Sequence, residues 1–306
     1  MRAVALILAL LAAAPPAQKA ATTPAQSPPR RPQFWIMSRH STDLLLQPVP
    51  QPNQVRLAQL KQTFNDLECR GASLRELPSP GGPNLLCILL GGTSPDLRPD
   101  PGAILIIANY EHEGAGQSAV DDWTGAITLP FLYHALTFMP RRHTFLLAEV
   151  NGAAGAKTLY DSFTPQQRGE IKGLVALDSL GLGPPQYYVN PNDSYFYGRS
   201  FLLHQLFQAA SDQNIDAPHA AIPGPWFKTD VTREFRHRGI PSVVIHSVTF
   251  RTRDLPGSLR DNADAIDHEV YFQTLLLLDY YVAELDEPWP PLASQTSSRP
   301  HGGRRH

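Results

Sequence analysis

The chain has 306 residues, enough for one large domain with a sizeable core or for two small domains. It carries 26 Lys and Arg against 28 Asp and Glu, so its formal net charge is only −2. Nothing in this balance suggests the basic surface that drives nucleic-acid binding, and we expect no nucleic-acid partner.

Both ends of the chain have the composition of segments that lie outside a folded domain. Residues 1–20 contain Arg2, an apolar run and then small residues, which is the pattern of a secretory signal peptide. The apolar run is short for a bilayer span, and a retained amino-terminal anchor is the alternative. Residues 21–35 and 288–306 are rich in proline and polar residues, which predicts a linker and a disordered tail. No later segment reaches membrane length, so we expect a secreted or periplasmic protein without a membrane span.

The sequence contains two cysteines, Cys69 and Cys87. An oxidising compartment favours a disulfide between them, which would contribute about 3 kcal/mol by closing a short loop. Two buried free thiols are the alternative. Two cysteines without a CxxC motif cannot form a structural zinc site by themselves.

The middle of the chain, residues 36–287, alternates helix and strand patterns and predicts one α/β domain. Apolar residues recur at helical spacing in some segments, whereas others are short apolar runs bounded by turn residues and indicate buried strands. Such alternation favours a largely parallel sheet covered on both faces. In chain order we predict a helix at 55–67, strands at 84–92 and 103–110, a helix at 122–139, a strand at 144–150, a helix at 155–163, a strand at 173–181, a helix at 194–214, a strand at 240–247 and a helix at 268–286.

Polar side chains end several of these predicted strands. In parallel sheets the chemistry gathers at the carboxyl ends of the strands, so these side chains are candidates for a functional site. They are Asn109, Glu149, Asp178 and His246, with Asp121 at the start of the helix at 122–139. Each acid also has a purely structural interpretation. Asp121 or Asp122 could cap a helix, Asp178 could accept hydrogen bonds from loop amides, and Glu149 could pair with an arginine.

Taken together, six segments in order resemble the M28 family of zinc exopeptidases, aminopeptidases with a co-catalytic pair of metals. The resemblance covers about residues 55–286. It implies a three-layer α/β/α fold with a mixed, mostly parallel central sheet. The matching segments are ANYE at 108–111, DDWTG at 121–125, AEVNGAAGA at 148–156, LDSLG at 177–181, GIPSVVIHSV at 239–248 and GSLRDNADAID at 257–267.

The resemblance implies that half of the functional positions are kept and half are substituted. The positions of the family's bridging aspartate, general base and second aspartate ligand are occupied here by Asp121, Glu149 and Asp178. The positions of its first histidine, its glutamate ligand and its last histidine are occupied by Asn109, Val150 and Gly257.

These substitutions affect the two family metals differently. One metal would keep only Asp121, because Val150 and Gly257 supply no side-chain donor, and we expect it to be lost. The other would have Asn109, Asp121 and Asp178, an all-oxygen set that suits calcium or magnesium better than zinc, and we expect low occupancy. Without a zinc ion to acidify water, Glu149 would be a relic general base.

The sequence therefore predicts an M28-like protein that has lost zinc-dependent hydrolysis and binds a peptide, an amine ligand or a partner protein. No zinc cofactor is expected, and at most one divalent cation. One alternative is an active metallo-aminopeptidase with a remodelled, single-metal site, which needs another ligand such as His112. The other is a structural protein whose acids are paired with Arg260 or another cation. Aromatic candidates for a pocket wall are Trp123, Trp226, Phe227 and Phe250.

Overall fold

The computed structural model describes residues 38–93, 97, 100, 102–112, 114–189, 196–221 and 230–289. The predicted signal peptide, the linker and the tail beyond Trp289 lie outside the described residues and stay predictions. Among the helices that are described, none is both long and apolar enough to cross a membrane.

The centre of the fold is a mixed sheet of eight strands in the described residues. Its strand order is β1-β2-β4-β3-β5-β8-β6-β7. The four strands β4, β3, β5 and β8 run parallel, and antiparallel pairs flank them on both sides. The strands are β1 Leu74–Leu77, β2 Asn84–Leu89, β3 Ala103–Asn109, β4 Thr144–Val150, β5 Ile171–Leu177, β6 Gln186–Tyr188, β7 His219–Ala220 and β8 Ser242–His246.

Helices cover both faces of this sheet, because its central strands alternate apolar side chains between two buried clusters. On β4, Phe145 and Leu147 belong to one cluster, whereas Leu146 and Ala148 belong to the other. Helices α2, α3, α6 and α8 pack on the first face, and α4 and α7 pack on the second. The helices are α1 Arg39–Leu45, α2 Asn53–Asp66, α3 Gly125–Thr137, α4 Gly152–Ser162, α5 Pro165–Glu170, α6 Phe196–Asp212, α7 Arg233–Arg236 and α8 His268–Glu284.

This architecture confirms the predicted three-layer α/β/α fold with a mixed central sheet. The predicted start of one helix is wrong: the helix expected at 122–139 begins at Gly125, and no side chain caps its amino terminus. Asp121 and Asp122 instead lie in a preceding π-helical turn, Ala119–Thr124, in which Asp121 has non-helical dihedral angles. Neither aspartate therefore serves as the cap of this helix, and both carboxylates can take other partners.

The predicted disulfide is present. Cys69 and Cys87 are bonded with their Cα atoms 6.2 Å apart, and both residues are fully buried. The bond ties the segment after α2 to strand β2, which pairs with β4. It therefore links the end of α2 to β2, the strand that pairs with the Glu149-bearing strand β4.

Candidate functional site

The four parallel strands bring the predicted site residues to one edge of the sheet. Asn109 ends β3 and lies opposite Val150 at the end of β4, while Ala108 lies opposite both Glu149 and Leu177. Asp178 follows Leu177, and its backbone N–H donates to the carbonyl of Ile245 on β8 at 3.0 Å. The candidates from separate motifs therefore lie at one edge, as expected for parallel strands.

Three carboxylates converge at this edge, and we call Asp121, Asp122 and Asp178 the acid cluster. One carboxylate oxygen from each lies within 4.8 Å of the others. Burial and the neighbouring Asp121 raise the pKa of Asp122 well above its usual value. The same two causes, burial first, raise the pKa of Asp178 to about 7. Asp122 is the member that the sequence analysis treated only as a helix cap.

Asn109 contacts the acid cluster with its amide hydrogens. Its Oδ1 accepts hydrogen bonds from the backbone N–H of Glu111 at 3.1 Å and of Gly152 at 2.8 Å. These two donors orient the amide, so that Nδ2 donates to Asp122 Oδ2 at 2.5 Å. The geometry offers a hydrogen-bond donor where the resemblance placed a cation ligand.

The two other substituted positions also lack the means to hold a zinc ion. Val150 is fully buried in the apolar cluster under α4 and α7. Gly257 has a φ of 68°, a left-handed conformation that glycine adopts freely and other residues disfavour. Its N–H donates to Asp261 and its carbonyl accepts from Ala115, so the backbone itself is packed at this position. The residues present therefore do not fit the family's pair of zinc ions.

Neither nearby histidine joins the acid cluster. The Nε2 atom of His112 lies 3.0 Å from the carbonyl oxygen of Gly116, to which it donates. His246 is buried, its Nδ1 accepts from the backbone N–H of Val248, and burial lowers its pKa to about 4. Across the described ranges, no second group of three or more His, Cys, Asp or Glu side chains converges closely enough to hold an ion. Arg260 is exposed, and among the described residues it forms no ion pair with the acid cluster.

Two residues that sequence reasoning missed organise the segment that carries Asp121. Asp261 is fully buried and accepts from the backbone N–H of Val120 at 2.8 Å and of Asp121 at 3.3 Å. Arg56 is also fully buried and donates to five backbone carbonyls, those of Pro50, Tyr110, Glu111, Gln117 and Ser118. Helical periodicity gave no signal for Arg56, because four of its five acceptors are backbone atoms more than 50 residues away in sequence.

Glu149, the candidate relic base, is sealed inside the protein. Its side chain is fully buried, and neither carboxylate oxygen has a hydrogen-bond partner among the described residues. Burial raises the pKa of this carboxyl well above its usual value and so favours the protonated form. A protonated carboxyl cannot accept a proton from water, which argues against a general base in this state.

We expect Glu149→Gln to remove a pH-dependent destabilisation. The folded-state pKa is raised, so the folded chain binds the proton more tightly than the unfolded chain, and stability falls as pH rises above the unfolded value of about 4.3. Above that unfolded-state pKa, the free energy of unfolding of the variant should rise relative to that of the wild type by up to about 1.4 kcal/mol per pH unit. Urea unfolding between pH 4 and 8 measures the difference. Glu68→Gln, at an exposed glutamate, is the control, and parallel curves for wild type and Glu149→Gln would contradict the expectation.

A small cavity of about 10 Å³ adjoins the acid cluster and is large enough for about one water molecule. Its polar lining comes from Asn109, Asp122, Asp178 and Thr232. Of the aromatic wall candidates, Trp123 is buried in the core and Phe250 is exposed, whereas Trp226 and Phe227 lie outside the described residues. The described part of the site thus offers room for a small ligand group at the cluster.

In sequence, the chain matches no protein-family model and no curated protein. In structure, it is similar to a zinc aminopeptidase from Bacillus subtilis, with 16% identity over 67% of this chain and 50% of that chain and a TM-score of 0.55. It is similar to the Legionella pneumophila LapA aminopeptidase, with 12% identity over 84% and 77% of the two chains and a TM-score of 0.60. It is also similar to a glutaminyl cyclase from an Acidobacteriales bacterium, with 17% identity over 85% of this chain and 99% of that chain and a TM-score of 0.63.

These comparisons confirm the fold that the six segments implied. The chain shares the zinc exopeptidase-like fold of these aminopeptidases and glutaminyl cyclases at low sequence identity. It spans about half the length of the Bacillus and Aneurinibacillus aminopeptidases and nearly the full length of the Acidobacteriales cyclase.

Proposed function

We propose that this chain uses a zinc exopeptidase-like fold to bind a peptide, an amine ligand or a partner protein without zinc-dependent hydrolysis. The observation that carries the proposal is the contact of Asn109 with the acid cluster. An amide whose oxygen is held by two backbone donors presents Nδ2–H to Asp122, where the resemblance requires a metal ligand. Val150 and Gly257 remove two further ligands, and the buried Glu149 lacks the features of an active base.

The acid cluster supports an amine or a peptide amino terminus as the bound group. Three carboxylates within 4.8 Å of one another repel each other, and a cationic group placed between them relieves that repulsion. An ammonium ion donates up to three hydrogen bonds and requires no imidazole partner. A single calcium or magnesium ion would satisfy the same oxygen donors and is the competing occupant.

The second candidate is an active metallo-exopeptidase with a remodelled site. The shared fold with zinc aminopeptidases and the three clustered carboxylates favour it. It requires a nitrogen ligand that the described residues do not bring to the cluster, since His112 contacts Gly116 instead. We therefore rank this candidate second.

Titration of the purified full chain with zinc distinguishes the two candidates. We expect less than one bound zinc per chain by native mass spectrometry, and no zinc-stimulated turnover of aminoacyl fluorogenic peptides or of peptides that begin with glutamine. Stoichiometric zinc together with rapid turnover of either substrate would refute the proposal. Asp178→Asn and His112→Ala serve as matched variants: only the first should weaken the binding of a cation or an amine.

We also propose that the chain acts outside the cytoplasm, in the periplasm or the extracellular space. The disulfide between Cys69 and Cys87 supports this, because such bonds persist in oxidising compartments. Amino-terminal sequencing of the secreted protein tests the predicted cleavage near residue 20. Recovery of the uncleaved chain from the cytoplasm, with both thiols reduced, would contradict it.

A further inference from the structure

A loop that is hydrogen-bonded to the segment before the acid cluster carries the two most exposed large apolar side chains of the described residues. Phe250 is 78% exposed and Leu259 is 77% exposed. Both lie in residues 249–260, which follow β8 at the carboxyl edge of the sheet, and we call this segment the rim loop. Exposed apolar side chains of this size in one short loop are typical of an interaction surface rather than of scattered surface residues.

The rim loop is also basic, although the chain as a whole is slightly acidic. Arg251, Arg253 and Arg260 are exposed, and Asp254 is the only acid in the loop. The guanidinium of Arg253 lies 4.2 Å from the centre of the Phe250 ring, so a cation and an apolar surface face the solvent together. This combination suits a ligand with both carboxylates and apolar groups.

Hydrogen bonds hold the rim loop against the segment that carries Asp121. Consecutive turns link Leu255 to Thr252 and Ser258 to Leu255, each at 3.0 Å. Asp261 comes directly after Arg260, and its carboxylate accepts from the backbone N–H of Val120 and Asp121. Leu259 and Arg260 are therefore anchored close to the backbone segment that carries Asp121, one member of the acid cluster.

We propose that the rim loop binds an acidic, apolar-containing stretch of a polypeptide ligand whose amino terminus lies at the acid cluster. This inference rests on the proposed function and specifies the class of ligand. A polypeptide carries its ammonium group at the start and side-chain carboxylates after it, so one extended molecule complements both charged surfaces. Arginine pairs with carboxylates through two parallel hydrogen bonds, and Phe250 and Leu259 supply the apolar contact that arginines alone lack.

Two synthetic peptides with free amino termini test this proposal: Ala-Phe-Asp-Glu-Asp amide and its uncharged counterpart Ala-Phe-Asn-Gln-Asn amide. We expect the full chain to bind the acidic peptide about tenfold more tightly at low ionic strength, with the preference reduced by salt, because the added contacts are exposed charge pairs. Calorimetry or fluorescence anisotropy measures both affinities, and mass spectrometry of the recovered peptides reports any cleavage.

The double variant Arg251→Gln with Arg260→Gln should abolish the preference for the acidic peptide and leave the affinity for the uncharged peptide unchanged. Arg70→Gln with Arg75→Gln removes the same charge from exposed positions on the β1 side and should keep the preference. Phe250→Ser should weaken both peptides equally. Loss of the preference in the control variant would reduce the effect to net charge and overturn the proposal.

The proposed function and the rim inference fail in different ways. The rim inference is overturned if the wild type binds both peptides equally, even where Asp178→Asn loses that binding. It is also overturned if the wild type binds neither peptide. Zinc-dependent cleavage of the peptides overturns the proposed function, whatever the preference between them. A membrane surface is the remaining alternative. The rim loop would be assigned to it, and the inference overturned, if the chain binds vesicles that contain anionic phospholipid, loses that binding in the Arg251→Gln with Arg260→Gln variant, and shows no preference between the peptides.

Discussion

Replacement of Arg56 by methionine is expected to lower the free energy of unfolding by about 3–5 kcal/mol, the range for removing one partner of a buried charged network. The guanidinium donates to five backbone carbonyls in three separate segments. Methionine fills much of the volume but leaves these oxygens without donors, and each unsatisfied buried acceptor costs about 1–3 kcal/mol before the protein relaxes. Urea unfolding monitored by circular dichroism measures the change.

The physical reason is the position of Arg56 between three backbone segments, because its guanidinium contacts all three. Its side chain spans from Pro50 to the carbonyls of residues 110–111 and 117–118, the segments that follow Asn109 and precede Asp121. Burial lowers its pKa to about 10, and the acids Asp122, Asp261 and Asp121 oppose that effect. The guanidinium therefore stays charged at neutral pH, and its positive charge offsets part of the negative charge of the acid cluster.

Two comparisons make the Arg56 prediction specific. Arg56→Lys keeps the charge but cannot reach five acceptors, so its stability should lie between wild type and Arg56→Met. Arg75→Met, at an exposed position on β1, should change stability by no more than about 0.5 kcal/mol. A loss below about 1 kcal/mol for Arg56→Met would show that the loops hold their conformation without it.

Replacement of both Cys69 and Cys87 by alanine is expected to lower the free energy of unfolding by about 3 kcal/mol through the loss of the cross-link. The cysteines are 18 residues apart, and the bond restricts the unfolded chain over that loop. Removal of two fully buried sulfur atoms adds a packing loss to this value. Urea unfolding of the double variant and of the oxidised wild type gives the difference.

Treatment with a reductant separates the cross-link from the packing loss. The reduced wild type retains both sulfur atoms, so it should lose about 3 kcal/mol, whereas the double alanine variant should not respond to the reductant. An unchanged stability of the reduced wild type would mean that the bond adds nothing beyond the packing of α2 against the sheet.

Periodicity and turn residues sufficed to predict the layers of the fold. Strands such as 103–110 and 144–150 are continuous apolar runs, because both faces of a central parallel strand are buried. The short strands β1, β6 and β7 escaped prediction, since two to four residues that are at least partly exposed carry too little pattern. The start of α3 was placed three residues early, because Asp121 and Asp122 resemble caps when read without their tertiary contacts.

The local order of residues was enough to place Glu149 at the end of one strand and Asn109 at the end of another, and to pair two cysteines that had no other partners. Those properties depend on near neighbours and on composition. The direction of the Asn109 amide, the entry of Asp122 into the acid cluster, the isolation of Glu149 and the five acceptors of Arg56 depended on folding. The contacts of Asn109 with Asp122 and of Arg56 with residues 110–118 join separate segments of the chain, and Glu149 is isolated because the packing of the whole sheet buries it.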